Sequence, residues 1–194
     1  MNGAGAVSEQ IDAGLALSTI HQTLNSQGSE LFDTLVRKLS EKLGFRGVFI
    51  TRISDQTIEV FNAWLDGKKL DKFECGLIGT PCEQVLARTK SLYFDNVCQY
   101  FPSAHYLAHV APYCYMGTPI ADCGGSSGTL VVMADSAIKD LVSVQQTLEI
   151  YAKIITGEFM QRSLLSKLEI SPECAQKTFA QSLDLLFFHD IKGR

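Results

Sequence analysis

The sequence lacks the features of a membrane protein or a nucleic-acid-binding protein. No apolar run approaches the ~20 residues that a membrane span needs, and residues 1–10 contain neither the basic segment nor the apolar segment of a secretion signal. No cluster of Lys and Arg occurs, and the formal net charge is -4. We therefore expect a cytoplasmic chain with no affinity for nucleic acid and no membrane segment within these residues.

The cysteines lack the spacing of metal sites. The chain has six of them, but no CxxC pair occurs, so no metal is predicted. In a reducing cytosol they are expected to be free thiols. They are Cys75, Cys82, Cys98, Cys114, Cys123 and Cys174.

Signatures of common catalytic centres are also missing. The sequence has no P-loop and no paired-carboxylate arrangement. The glycine-rich stretch DCGGSSG at 122–128 lacks the lysine and the helix start of a phosphate-binding loop, and it predicts a hairpin turn instead. We expect a regulatory domain, not a free-standing enzyme.

What is present is the composition of a globular domain. The chain has 194 residues, of which 46% are hydrophobic and 20% charged, which fits one domain with flanking helices. We predict a signalling or dimer helix in residues 1–28, a domain in 29–168 that includes a long C-terminal helix, and the start of an output or linker helix in 169–194.

Helices are predicted at both ends of the chain and hairpins between them. Apolar residues recur at helical spacing over Ser8–Asn25 and again from Ser29 to Leu43, where Gly44 is a stop signal. β-Branched and aromatic residues then predict one hairpin over 46–65 and a second over 114–135. Hairpins pair antiparallel, so we expect an α+β fold with a central antiparallel sheet of five or six strands flanked by helices.

The segment between the hairpins contains short elements. Thr80 and Pro81 are the expected cap and first residue of a short helix. A short strand over 92–95 and a second short helix from Pro102 follow, whereas 66–79 reads as irregular.

The long helix predicted over 140–168 has a heptad rhythm. Two copies of such a seam satisfy each other by two-fold symmetry, so a homodimer through this helix is expected, aided by the Ser8–Asn25 helix. The alternative is that the seam packs on the chain's own sheet. The seam residues are Leu141, Val144, Leu148, Tyr151 and Ile155.

The segment 79–135 resembles the GAF family, whose overall shape is similar to that of PAS domains. The resemblance rests on GTPCEQVLA at 79–87, SLYFDNV at 91–97, YFP at 100–102, YMGTPIAD at 115–122 and GTLVVMAD at 128–135, in the family's order. It covers about residues 29 to 160. A departure is the Ser103-Ala104 pair after Pro102, where many relatives carry an acidic residue.

The resemblance implies a sensor in a larger signalling protein, with dimer helices that pass the signal to an output domain. It also implies a ligand pocket on one face of the sheet, lined from 73–79, 102–109 and 113–117. The ligand, and any cofactor, is unknown from sequence. Ligand-binding residues are predicted to be Phe101, His105, Cys114, Tyr115 and Gly117.

Two special chemistries are disfavoured at this place. Bilin-binding relatives carry a cysteine a few residues ahead of the Tyr-Leu pair, and a methionine sulfoxide reductase family carries cysteines near its FP segment, but FPSAHYLAHV has none. His105 and His109 have an i, i+4 spacing without a third ligand. A structural dimerisation module without a ligand and a thiol redox sensor remain the alternatives.

The chain stops in the middle of a helical pattern, which predicts that a longer protein continues beyond it. His189 is followed by Asp190, Ile191, Lys192 and Gly193, an order similar to the phosphoacceptor box of sensor histidine kinases, although Arg194 stands where the commonest form has proline. His189 is therefore a candidate phosphoacceptor, and a histidine kinase of a two-component system is one candidate for the full-length protein. The alternative is a solvated histidine in a generic signalling helix.

Overall fold

The computed structural model describes residues 29–121 and 127–167. The predicted helix Ser8–Asn25, most of the second hairpin's turn, the helix expected after Ser171 and the candidate His189 all lie outside these residues. The helices are α1 (Ser29–Leu43), α2 (Pro81–Arg88), α3 (Val97–Tyr100), α4 (His105–Val110) and α5 (Leu141–Lys167). The strands are β1 (Gly47–Ser54), β2 (Thr57–Leu65), β3 (Lys68–Leu70), β4 (Phe73–Gly76), β5 (Leu92–Asp95), β6 (Cys114–Ile120) and β7 (Ser127–Ala134).

The strands form a single antiparallel sheet, which confirms the α+β prediction. Its order is β3-β2-β1-β7-β6-β5, and β4 pairs with the other end of β2. The sheet has seven strands, not five or six, because β3 and β4 lie in the segment 66–79 that the sequence indicated to be irregular. They have only three and four residues, which is too short for an alternating pattern to identify them as strands, and both pair with β2.

Helices cover both faces of the sheet. The central strands are therefore buried on both sides and read as nearly continuous apolar runs, as in GVFITRIS of β1. Helix α1 packs on β1 and β2, and α2 packs on β6 and β7. Helix α5 lies on the same face as α1, where Glu149 accepts a hydrogen bond from Ser91 at 3.0 Å, and Ser91 in turn contacts the Thr118 hydroxyl at 3.1 Å.

The predicted heptad seam of α5 is used within the chain. Val144, Leu148, Tyr151 and Ile155 are all buried. The rhythm that suggested a dimer seam thus reflects packing on the chain's own sheet, which was the alternative reading of the pattern. The homodimer itself stays a prediction. No helix among the described residues combines the length and apolarity needed to cross a membrane.

Helix α2 is held by a cap that the sequence predicted. The Thr80 hydroxyl accepts a hydrogen bond from the Glu83 backbone N–H at 3.3 Å, and the Glu83 carboxylate accepts one from the Gly79 N–H at 2.7 Å. Pro81 occupies the first helical position, where its missing N–H costs nothing. This cap fixes the start of α2 and so places Cys82 against the sheet.

Arg46 ties distant parts of the fold together. Its guanidinium pairs with Asp66 at 2.7 Å and Asp135 at 2.9 Å, and it donates to the Val110 carbonyl at 2.9 Å. Asp66 directly follows β2, Asp135 directly follows β7, and Val110 is the last residue of α4. The side chain is 29% exposed, and its hydrogen bonds to Asp66 and then Asp135 raise its pKa further above neutrality.

Candidate functional site

A small cavity lies on the sheet face covered by α2 and α4. It encloses about 20 Å³ accessible to the centre of a water molecule, within about 290 Å³ of space that includes its mouth. The enclosed part has room for about one water. Its wall contains aliphatic, aromatic, hydroxyl and thiol side chains and no charged one: Phe49, Thr51, Ile58, Val60, Phe73, Cys75, Cys82, Tyr106, Val131 and Met133.

A chain of polar side chains runs along one wall of this cavity. The Thr51 and Thr129 hydroxyls lie 2.7 Å apart, the Thr129 hydroxyl donates to the Cys82 sulfur at 3.5 Å, and that sulfur lies 3.2 Å from the Tyr115 hydroxyl. All of these residues are buried. Because buried polar groups are costly without partners, this row of hydrogen-bonded side chains fixes the rotamers of the wall.

The Tyr106 hydroxyl is an exception in the same region. It is buried and has no hydrogen-bond partner among the described residues. The Cys82 sulfur is close enough to influence it, but thiol sulfur is a weak acceptor and leaves this donor without a full hydrogen bond. Burial raises the pKa of Tyr106 well above its usual range, so the phenol keeps its proton and remains a donor at neutral pH.

The thiols in the cavity wall are protonated at neutral pH. Burial raises the pKa of Cys82, and burial followed by the neighbouring Cys82 raises the pKa of Cys75 to about 11. Thiolate is the nucleophile and the metal ligand. Both thiols therefore act as small, weakly polar wall groups. Within residues 29–121 and 127–167, no group of three or more His, Cys, Asp or Glu side chains could hold a metal ion.

Three of the sequence-predicted ligand residues lie on the cavity's face of the sheet. Tyr115 is fully buried and reaches the cavity only through Cys82, and Gly117 lies under α2, where a Cβ would meet Val85 at 2.9 Å. Phe101 is buried against Phe94, with ring centroids 4.9 Å apart. None of these three side chains forms the cavity wall itself.

The other two predicted ligand residues are placed elsewhere. Cys114 lies on the opposite face of the sheet, where its thiol donates to the Ser136 carbonyl at 3.1 Å. It precedes Tyr115, and successive strand residues point to opposite faces. His105 is exposed on α4, as is His109, while Tyr106 and Leu107 turn inward. The i, i+4 histidine pair is thus a surface feature.

Sequence reasoning missed most of the wall. It predicted contributions from 73–79 and 102–109, and Phe73, Cys75 and Tyr106 do lie there. The residues it missed are Cys82 from α2 and six residues at alternate positions of β1, β2 and β7: Phe49, Thr51, Ile58, Val60, Val131 and Met133. In β2 apolar and polar residues alternate, so the sequence shows which residues face the core. In β1 and β7 both faces are covered by helices and both are apolar, so the sequence does not show which residues face the cavity.

A second depression is an open surface groove of about 410 Å³. Its lining includes Asp135 and Cys98, whose thiol donates to the Leu107 and Pro112 carbonyls at 3.7 and 3.6 Å. It is wide and shallow and has no unpaired buried polar group among the described residues, so it ranks below the enclosed cavity as a binding site.

Comparison with solved structures identifies the fold. The chain is similar to the nlh2 GAF domain of A. aeolicus (TM-score 0.60, 15% identity, 77% of this chain and 95% of that one). It is similar to the GAF domain of a phosphoenolpyruvate-protein phosphotransferase from Coxiella burnetii (TM-score 0.63, 11% identity, 79% and 95%). It is also similar to the phycoerythrobilin-bound GAF domain of a cyanobacterial phytochrome (TM-score 0.61, 11% identity, 78% and 95%).

No protein-family model matches the sequence, and no curated protein is significantly similar to it. The structural likenesses nonetheless span nearly the whole of each GAF domain. The chain therefore has the GAF fold, as the resemblance over 79–135 predicted.

Proposed function

We propose that this chain is a sensory or regulatory GAF-type domain that binds a small molecule in the cavity between the sheet and helices α2 and α4. The observation that carries the proposal is the cavity itself, walled by Phe49, Val131 and Met133 from the sheet and by Tyr106 from α4. Most of its wall is apolar with a few polar groups, which is the usual character of small-molecule sites. One structural neighbour, the cyanobacterial phytochrome domain, is a GAF domain with bound phycoerythrobilin.

Native mass spectrometry of freshly purified protein tests this proposal. We expect a non-covalent adduct that is lost in Cys75→Phe, which fills the mouth of the cavity. Glu74→Phe is the matched control, since Glu74 precedes Cys75 on β4 and is exposed. An adduct that survives Cys75→Phe, or is lost equally in Glu74→Phe, would place the site elsewhere.

We further propose that the signal leaves through α5 in a homodimer. All the seam residues except the 37% exposed Leu141 are buried in the chain's own core, so the interface would use exposed apolar side chains of α5 such as Val142 and Ile150, which are 66% and 44% exposed. Large exposed apolar residues on a helix face are typical of association surfaces. Light scattering measures the oligomeric state directly.

The output is proposed to be a histidine kinase with His189 as phosphoacceptor, on the sequence similarity described above. The test uses the full-length protein with ATP and follows acid-labile phosphate. Phosphorylation that persists in His189→Gln, or that never appears in the full-length protein, would remove this assignment and leave the sensor proposal standing.

A structural dimerisation module without a ligand is the second candidate, favoured by the small enclosed volume of about 20 Å³. It predicts no adduct and an unchanged oligomeric state in Cys75→Phe. A thiol redox sensor is less well supported, because burial keeps the Cys75 and Cys82 thiols protonated.

A further inference from the structure

The cavity wall carries information about the chemistry of its ligand. Among its ten lining residues there is no Lys, Arg, His, Asp or Glu. A carboxylate or phosphate placed there would lose its hydration without gaining a counter-charge, which is strongly unfavourable. The wall therefore disfavours charged molecules.

The polar groups of the wall differ in whether their hydrogen bonds are already made. The Thr51 hydroxyl and the Cys82 thiol of the wall are satisfied by Thr129 and Tyr115, which do not line the cavity themselves. The Tyr106 hydroxyl is buried against the same cavity with a proton and no acceptor stronger than the nearby Cys82 sulfur. A buried donor left in this state is destabilising, and an acceptor placed in the cavity relieves that cost.

The mouth of the cavity has a movable side. Phe73 is 36% exposed, and it and Cys75 belong to β4, a four-residue edge strand that pairs only with β2. Displacing the Phe73 ring enlarges the enclosed space without disturbing the central strands. The enclosed space of about 20 Å³ holds about one water, so a ring-sized occupant requires this displacement of Phe73.

We propose that the cavity selects uncharged, mainly apolar molecules of about one ring that carry a single hydrogen-bond acceptor, and that the Tyr106 hydroxyl is the donor that recognises this acceptor. The inference rests on the function proposed above and adds the ligand class and the recognition residue. Tyr106 positions and selects the ligand, and no chemical step is involved.

Matched probes test the class. Cyclohexanone has a carbonyl acceptor, methylenecyclohexane has the same shape with no acceptor, and cyclohexanecarboxylate has the same ring with a charge. We expect the wild-type chain to bind cyclohexanone in a solution titration followed by amide NMR shifts of β1, β7 and α4, and to show no saturable shift with cyclohexanecarboxylate.

Tyr106→Phe separates recognition from packing, because it removes the hydroxyl and keeps the ring. The Kd for cyclohexanone should rise roughly two- to tenfold, the range of one neutral hydrogen bond. The Kd for methylenecyclohexane should stay within twofold. Equal changes for the two probes, or none for cyclohexanone, would overturn the role of Tyr106.

The outcomes also distinguish this inference from the proposed function. Binding of cyclohexanecarboxylate that disappears in Cys75→Phe would overturn the ligand class while supporting a functional cavity. A native adduct retained by the wild type, together with no binding of any of the three probes, would also overturn the ligand class while supporting a functional cavity. Absence of both adduct and probe binding would overturn this inference and the small-molecule function together.

Discussion

The Tyr115 side chain lies across Gly117, two residues further along β6. A Cβ built on Gly117 would lie 2.6 Å from the Tyr115 hydroxyl oxygen and 2.8 Å from its Cε1. The missing side chain of the glycine is therefore the space that the tyrosine occupies. Through its hydroxyl the tyrosine then reaches Cys82, 3.2 Å away, and closes the polar chain that ends at Thr51.

Gly117→Ala should destabilise the domain. The added methyl group must displace Tyr115 and Val85, and overpacking of a filled core costs roughly 1–3 kcal/mol. Urea unfolding measures the change. Gly76→Ala is the control, because nothing lies within 4 Å of the Cβ that it adds. Equal stability of Gly117→Ala and wild type would contradict the placement of Tyr115.

Two tyrosine-to-phenylalanine changes should have opposite effects on stability. Tyr115→Phe removes a hydroxyl that is hydrogen-bonded to the Cys82 thiol and should lower the free energy of unfolding by about 0.5–1.5 kcal/mol. Tyr106→Phe removes a buried hydroxyl with no partner and should be neutral or stabilising by up to about 1 kcal/mol. Thermal unfolding of the apo proteins gives the comparison, and a loss of stability in Tyr106→Phe would mean that its hydroxyl is satisfied.

Much of the fold was predictable from local signals in the sequence. The start of α2 at Thr80 and Pro81 and the antiparallel pairing of the two hairpins rest on capping and turn chemistry, which act over a few residues. Gly44 has a positive φ of 70°, as expected of the residue that ends α1.

The site was less predictable, because its wall is assembled from strands far apart in the chain. Whether Tyr106 or His105 turns inward depends on how a six-residue helix sits on the sheet, and no periodic pattern of that length decides it. Cys114 was placed with Tyr115 although adjacent strand residues must point apart. The heptad rhythm of α5 is satisfied equally by a partner chain and by the chain's own sheet, so only the buried state of Leu148 decides between them.

Arg46→Ala should weaken the fold by more than an ordinary surface ion pair does. The substitution leaves Asp66, Asp135 and the Val110 carbonyl without their shared donor. Since the groups are partly exposed, we expect a loss of about 1–2 kcal/mol, reduced by added salt. Arg46→Lys keeps the charge but loses the several N–H donors of the guanidinium, so its stability should lie between those of the wild type and Arg46→Ala.

The same ion pairs predict how Asp66 titrates. Its hydrogen bond with Arg46 lowers the pKa of the Asp66 carboxyl below 3.8. A folded-state pKa below the unfolded value stabilises the fold above the unfolded pKa, and this contribution is lost as the pH falls through the folded value. NMR titration should therefore show a rise in the Asp66 pKa in Arg46→Lys, and an unchanged value would contradict the pairing.

Cys75 should react slowly with alkylating reagents and with an unusual pH dependence. A pKa of about 11 in place of 9.0 leaves roughly a hundredfold less thiolate near neutrality. Its alkylation by iodoacetamide, followed by peptide mass spectrometry, should rise about tenfold per pH unit from pH 8 to pH 10 without levelling. In urea-unfolded chain the same peptide should level near pH 9. A plateau near pH 9 in the folded protein would show that Cys75 is not held in the cavity wall.

Two substitutions on α5 should separate core packing from self-association. Leu148 is fully buried, so Leu148→Asp places a charge in the core and should cost more than the roughly 2–5 kcal/mol of a truncation to alanine. Its circular dichroism should show loss of the fold. Ile150, two residues away, is 44% exposed, and Ile150→Lys should leave the melting temperature nearly unchanged.

The proposed homodimer then gives a specific result in light scattering. If α5 associates through its exposed face, Ile150→Lys should shift the mass from dimer to monomer while the domain stays folded, because a lysine pair facing across a two-fold axis repels and loses apolar contact. A wild-type chain that is monomeric over the whole concentration range would rule out the homodimer. A folded, monomeric Leu148→Asp protein would instead contradict the burial of the seam and indicate that the heptad residues form the dimer interface.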